Sequence, residues 1–509
     1  MSGKRTGGRA TGSDRPGEVS RGYSRGETSQ DRQDRRTLED SPHRRPERCP
    51  ARGVKERGGR VVSIRGRASD RQLELSLGRP GDETAGGTRG EDAPVDGTDL
   101  MERALQGENL RHALRQVRRN RGAPGIDGMT VDGLMAYLKT HWPAIRSSLL
   151  DGTYTPQPVR RVEIPKAGGG TRNLGVPVVL DRFIEQALLQ VLQADWDPTF
   201  SEWSYGFRPG RRAHQAVSQA QRYIREGYAW VVDLDLEKFF DRVNHDVLLS
   251  RVRARVRDRR VVRLIHRFLT AGVFTLDGMV EQTVEGTPQG SPLSPLLANL
   301  LLDELDKELE KRGHRFVRYA DDGNIYVRSR RAGERVMVSV TRVLERRLKL
   351  QVNKGKSAVD RPSNRKFLGF TFTPGRAARR KVSAKSLLAF KAKVREVTGR
   401  TRGRTMHQIV RELRPFLLGW RGYFGFAEVP SPLRDLDKWV RRRLRSYHWK
   451  QWGRRGYREL RTRGVSRELA RNTAKSAHGP WRLSRSPALA IALSARYFAA
   501  LGLLNLVEG

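Results

Sequence analysis

Residues 316–327 read Phe-Val-Arg-Tyr-Ala-Asp-Asp-Gly-Asn-Ile-Tyr-Val and set two adjacent carboxylates, Asp321 and Asp322, between two short apolar runs. Asp-Gly between such runs is a strong hairpin signal. The hairpin tip then carries two negative charges side by side, which repel unless a cation lies between them. A divalent metal is the usual solution, and ligands that are all oxygen suit Mg²⁺. A solvated acidic turn has the same local sequence, so the metal reading requires a third carboxylate from elsewhere in the chain.

That carboxylate lies in residues 229–241. Residues 229–236 alternate as a strand does, with Trp230, Val232, Leu234 and Leu236 facing one way and Val231, Asp233 and Asp235 the other. The alternation predicts one face for the core and one carboxylate-bearing face for a cleft. An edge strand with a wet face would alternate in the same way. The presence of Asp321 and Asp322 downstream favours the cleft.

Residues 235–241 (Asp-Leu-Glu-Lys-Phe-Phe-Asp), followed by the Tyr-Ala-Asp-Asp run, resemble the active site of reverse transcriptases, and in particular the group II intron-encoded reverse transcriptase/maturase family. The resemblance extends from about residue 100 to 509. In order it includes residues 161–166, 172–177, 205–209 (Tyr-Gly-Phe-Arg-Pro), 287–295, the acidic pair, 353–357 and 367–370. Each motif alone is weak, but their order is specific. The resemblance implies a mixed α+β chain with a right-hand polymerase fold of fingers, palm and helical thumb.

It also implies an RNA-directed DNA polymerase working through two Mg²⁺ ions, with Mn²⁺ as a substitute, held roughly 3.5–4 Å apart. By match to the family triad, Asp235, Asp321 and Asp322 are the catalytic carboxylates. Leu236, beside Asp235, joins them in the metal-binding set, and Asp233 is an accessory or wet carboxylate. Phe240 matches the aromatic that excludes a 2′-hydroxyl, the group that separates RNA from DNA; of Phe239 and Phe240, one is expected to be ordinary core. Lys166 and Arg172 match the finger residues that hold the incoming triphosphate by charge-assisted bonds. Gln289 matches the residue beside the sugar and base, on a backbone kept rigid and closely approaching by Pro288 and Gly290. Lys356 matches the lysine that protonates the leaving pyrophosphate, with Lys354 two residues away as the competitor. Gly323 departs from the family, where many relatives carry a bulkier residue.

Composition points the same way. Lys plus Arg number 99 against 56 Asp plus Glu, a net charge of +43, so a polyanionic partner is expected. Without an apolar run long enough to span a bilayer, nucleic acid is favoured over membrane. The expected partners are group II intron RNA, an RNA template/DNA primer duplex and deoxynucleoside triphosphates. The expected location is cytoplasmic, in a bacterial ribonucleoprotein or nucleoid setting. The single cysteine, Cys49, excludes disulfide frameworks and cysteine-based zinc sites within the chain. With no paired cysteines near its end, the chain resembles the lineages lacking an endonuclease domain.

Three regions are expected. Residues 1–98 are rich in Arg, Gly, Ser, Asp and Pro and read as a disordered basic tail. Two readings of the tail stay open: an RNA-binding arm, or a segment not translated because synthesis starts near Met101. Residues 99–378 read as fingers and palm, with a Gly/Pro loop at 121–128 resembling the family's N-terminal extension, which contacts template RNA. Residues 379–509 read as thumb, or maturase X domain. There Leu436, Trp439, Val440, Leu444 and Tyr447 keep helical spacing, while Lys438, Arg441, Arg442 and Arg445 face elsewhere and predict a phosphate-binding face. Arg443 interrupts the apolar stripe. The aromatics of residues 419–424 read as core, and residues 488–504 as a buried terminal helix. An RNA-binding maturase with little polymerase activity, and a retron, diversity-generating or CRISPR-associated reverse transcriptase, are the alternatives. The intact acidic residues speak against the first, and the basic thumb against the second.

Overall fold

The computed structural model describes residues 99–165, 171–275 and 277–507. The 1–98 tail and Lys166 lie outside the described residues, and so does the side chain of Arg172. Strands and helices are mixed as expected, in three sheets among the described residues. β1 (Val159–Pro165), β2 (Thr171–Val176), β4 (Val273–Phe274) and β5 (Val280–Glu281) form one, in the order β2-β1-β4-β5. β3 (Trp230–Leu234), β6 (Arg315–Tyr319), β7 (Asp322–Val327) and β8 (Ala358–Asp360) form a second, in the order β6-β7-β3-β8. β9 (Phe370–Phe372) and β10 (Arg380–Val382) form a two-stranded ribbon.

The second sheet positions the acidic residues. β3 runs antiparallel to β7, from Trp230↔Val327 to Leu234↔Gly323, and to β8 on its other side. Its first face carries Val232, Leu234, Phe316, Ile325 and Val327. These pack in one buried cluster with leucines of the helix Ser294–Lys311 and valines of the helix Arg330–Arg347. Gly333 lets that second helix approach closely, since a Cβ there would lie 2.5 Å from Val359 and 3.5 Å from Val232.

The other face differs from the expectation. Val231, on the same side as Asp233 and Asp235, is 1% exposed. With Val317 and Tyr326 it joins a second buried cluster, which takes in the helix Ala213–Arg225 and the C-terminal helices. The carboxylate face is therefore half core and half cleft. Helix Ala213–Arg225 and the Phe367/Phe370 region cover its far end, and the carboxylates occupy the end that this cover leaves open.

The C-terminal region is helical: Ala384–Val397, Met406–Phe424, Ser431–Trp452 and shorter pieces. Trp420 and Phe424 are buried against Phe390 and Phe370, so the aromatics of residues 419–424 are core. Leu436, Val440, Leu444 and Tyr447 are buried as their spacing predicts. The basic residues of the same helix depart from the prediction. Arg442 donates to Trp481 O and stacks on the Trp481 ring, Arg443 donates to Thr398, and Arg445 donates to Leu493 O. These guanidinium groups tie down neighbouring segments, leaving Lys438 exposed and Arg441 half-buried. The single terminal helix expected over residues 488–504 is two short ones, Pro487–Ala492 and Ala495–Ala500. Ser494 separates them, because its side chain caps the second through Tyr497 N.

Candidate active site

The hairpin between β6 and β7 turns one residue before Asp322, not at Asp322-Gly323. Tyr319 pairs with Asp322, and Ala320-Asp321 form the two-residue turn, with Ala320 at φ +57°. A residue with a Cβ is strained there, so its surroundings must hold it. Arg318 does so from the first face of the sheet. Its guanidinium donates to Ala320 O (2.9 Å), Asn299 Oδ1 (2.9 Å) and both oxygens of Asp306. Asp306 is fully buried, and its burial pushes its carboxyl up while Arg318 opposes the shift. From the other side, Gly206 presses on the turn: a Cβ there would sit 2.1 Å from Ala320 N. Asn299 Nδ2 donates to Gly206 O at 2.9 Å, joining both supports. Gly323 lies in β7 rather than in the turn, and a Cβ there would meet Leu234 at an ordinary 3.8 Å.

Continuing the β3–β7 register one step beyond Leu234↔Gly323 sets Asp235 opposite Asp322, on the same face of the sheet. Asp322 responds to this crowding. Desolvation, then the charges of Asp321, Asp233 and Asp235, push its carboxyl up to about 6, with Lys366 opposing. A cation would relieve this repulsion, and a set of carboxylates fits a hard divalent ion. Among the described residues, no three His, Cys, Asp or Glu side chains stand in a ready-made metal cage. The Asp235 carboxylate lies 3.2 Å from Lys356 Nζ. Leu236 has its side chain in the core, so only its main chain can serve a metal.

Residues 353–357 clasp Asp235 through the backbone. Asn353 N donates to Asp235 O (2.8 Å), and Asp235 N donates to Ser357 Oγ (3.0 Å). This selects Lys356 over Lys354 as the lysine at the carboxylates. Asp233 has another task. It accepts from Arg365 Nε at 2.8 Å, and Arg365 also donates to Lys356 O. Desolvation raises the Asp233 carboxyl, and Arg365 counters. Asp233 thus anchors the lysine-bearing loop.

Phe240 and Gln289 line one cavity of about 320 Å³ together with Gly175 and Asp241. Gln289 donates to Asp241 Oδ1 at 3.0 Å, and Thr287 N donates to Phe240 O at 2.6 Å, so the 286–290 loop is fastened to the Phe-Phe-Asp turn. The close approach expected of its glycines is present, since a Cβ on Gly290 would sit 2.4 Å from Gly175 O. Phe239 is the core ring of the pair, 3% exposed, while Phe240 is half-buried. Asp235, Asp321 and Asp322 do not line this cavity. Arg172 pairs with Ile164 in the β1–β2 ribbon.

Two comparisons bear on this geometry. Residues 164–372 match the family described as reverse transcriptase (RNA-dependent DNA polymerase), and residues 387–464 match the group II intron maturase-specific domain. The chain belongs to the group II intron reverse transcriptase/maturase family. Asp235, Phe240, Gln289, Asp321, Asp322 and Lys356 all lie within its RNA-dependent DNA polymerase domain, and Trp420 and the helix Ser431–Trp452 within its maturase-specific domain. Protein YkfC of Escherichia coli K12 is 36% identical over 179 residues, 34% of this chain and 47% of that protein. The group II intron-encoded protein LtrA of Lactococcus lactis subsp. cremoris is 38% identical over 163 residues, 31% of this chain and 26% of LtrA. The chain thus spans less than half the length of either relative. A chain of a partial Cas6-RT-Cas1–Cas2 complex overlays with a TM-score of 0.32 at 25% identity, covering 52% of this chain and 46% of that one. An overlay that loose decides nothing about fold or activity.

The family motifs did not single out the supporting residues Arg318, Asp306, Asn299 and Arg365. Arg318 carried the one available signal: a charged residue inside an otherwise apolar strand, immediately before the acidic run. Its partners come from a helix that sequence spacing cannot dock.

Proposed function

We propose that this protein is a Mg²⁺-dependent RNA-directed DNA polymerase that copies RNA into DNA and binds group II intron RNA to assist splicing and retrohoming. The observation that carries the reading is the β3–β7 register, whose last pair Leu234↔Gly323 immediately precedes Asp235 and follows Asp322, beside a hairpin tip bearing Asp321. In this reading the described chain is a right hand. The β6-β7-β3-β8 sheet is the palm, β1–β2 belongs to the fingers, and the helices from Ala384 onward are the thumb.

Two divalent ions bound by Asp235, Asp321, Asp322 and the Leu236 main chain would activate the primer 3′-hydroxyl and stabilise the leaving oxygen. The remaining work belongs to the protein. Lys166 and Arg172 hold the triphosphate, and Gln289 lies along the sugar and base. Phe240 closes the space a 2′-hydroxyl would need. Lys356, paired with Asp235, gives its proton to the departing pyrophosphate. Intron binding draws on the maturase-specific domain and on the +43 net charge, which neutralises phosphates in a salt-dependent way.

Primer extension on an RNA template tests the polymerase. The wild type should yield cDNA with Mg²⁺ and none without it, and Asp321→Ala with Asp322→Ala should fall to background. Equal cDNA from both proteins would reject Asp321 and Asp322 as the catalytic carboxylates, and no cDNA from the wild type would leave an RNA-binding maturase, measured by splicing of its precursor RNA.

A further inference from the structure

Phe207 stands in the Tyr-Gly-Phe-Arg-Pro motif of residues 205–209. Its backbone is in the left-handed region, φ +59°, where a residue with a Cβ is strained and glycine is not. Its side chain is 43% exposed, so burial returns little for that strain. A strained, exposed aromatic persists only where its neighbours fix it and its ring is used.

The neighbours do fix it. On one side Gly206 is wedged against the turn of the acidic hairpin and bonded to Asn299. On the other, Arg208 is buried and donates to Asp197 Oδ1 (2.8 Å), Asp197 O (2.6 Å), Ser204 O (3.0 Å) and Ser201 O. Pro209 follows directly. The loop therefore has no freedom to withdraw the ring. That ring meets Phe240 edge-on, with centroids 6.4 Å apart at 65°. Phe240 in turn meets Phe239 at 5.2 Å and 74°. The three rings form a row from core to solvent, with Phe240 in the middle and Phe207 as its outer neighbour.

We propose that Phe207 determines sugar specificity: it holds the Phe240 ring from the solvent side, in the position where that ring excludes the 2′-hydroxyl of an incoming ribonucleotide. The inference rests on the polymerase reading and on Phe240 as the gate. Phe207 acts through Phe240, so it is a positioning residue, and removing it frees Phe240 to swing away from the sugar.

The test compares kcat/KM for deoxynucleotide and ribonucleotide triphosphates in primer extension on an RNA template. Phe207→Gly removes the ring and the backbone strain together, so its melting temperature should equal or exceed that of the wild type. Its deoxy-over-ribo ratio should nevertheless fall by about tenfold or more. Phe207→Asn, which tolerates the left-handed backbone without an aromatic ring, carries the same test should the glycine variant fold poorly. Phe240→Ala should lose most of the discrimination, and adding Phe207→Gly to it should change the ratio no further. A wild-type ratio in both Phe207 variants, with the ratio lost in Phe240→Ala, would overturn the proposal alone. Effects of Phe207→Gly and Phe240→Ala that multiply would overturn it too. A wild-type ratio in Phe240→Ala would remove the gate itself and the proposal with it.

Discussion

At the scale of single residues, the proposed site separates groups assigned to chemistry from groups that hold them. Lys356 touches Asp235, whereas Lys354 makes no such contact. Lys356→Met should lower kcat for nucleotide addition by about 10²-fold or more, with a smaller change in KM, while Lys354→Met stays near wild type. Single-turnover extension distinguishes the two. Glu185 is a holding residue with a pH signature. It is fully buried, accepts a bond from Ser291 Oγ at 2.7 Å, and burial pushes its carboxyl up to about 8 from an ordinary 4.5. The folded protein therefore keeps a proton there that the unfolded chain releases near 4.5. Its stabilising effect is complete below about pH 4.5 and is lost as pH rises through about 8. Glu185→Gln should flatten this slope and stabilise the protein above pH 8 by on the order of 2–4 kcal/mol. Urea midpoints at pH 6 and pH 9 check it, and an equal pH dependence in both proteins would refute it.

At the scale of elements, the acidic hairpin is placed from outside itself. Two apolar runs around Asp-Gly announced a hairpin, yet the turn falls on Ala320-Asp321 because Arg318 binds Ala320 O and Gly206 leaves no other path. Arg318→Met would strip a buried carboxylate of its partner, and breaking such a pair costs about 3–5 kcal/mol. The double variant Arg318→Met with Asp306→Leu should recover much of that loss, since a buried pair replaced by apolar groups is often neutral. Neither variant should recover full extension rate, because Ala320 O has lost its donor. Chemical denaturation and primer extension, read together, separate the two effects. The basic helix Ser431–Trp452 carries the same lesson. Its apolar stripe was legible from spacing, but Arg442, Arg443 and Arg445 reach partners 39 to 48 residues away, which periodicity cannot register.

For the whole molecule, one buried cluster joins Val231, Val317 and Tyr326 of the central sheet to Phe424, Leu436 and Leu444 of the C-terminal helices. A polypeptide ending at residue 378 would expose that face of the sheet. Each large side chain uncovered costs about 1.5–3 kcal/mol, so the truncated protein should aggregate or unfold rather than polymerise. Gel filtration and far-UV circular dichroism of the 99–378 polypeptide test this, and a soluble, cooperatively folding fragment would contradict it.

The sequence by itself nominated the chemistry, since motif order and strand alternation are local signals carried by side-chain type: Asp235, Asp321 and Asp322 as carboxylates, with Phe240 ahead of Phe239 and Lys356 ahead of Lys354. It also announced the mixed fold and the apolar stripe of the long C-terminal helix. Only the tertiary structure decided where the hairpin turns, which arginines are already engaged, and that the cleft-bearing face is core at its other end. Those outcomes depend on close packing between segments 12 to more than 100 residues apart. There a missing Cβ at Gly206 or a buried Asp306 outweighs any local propensity.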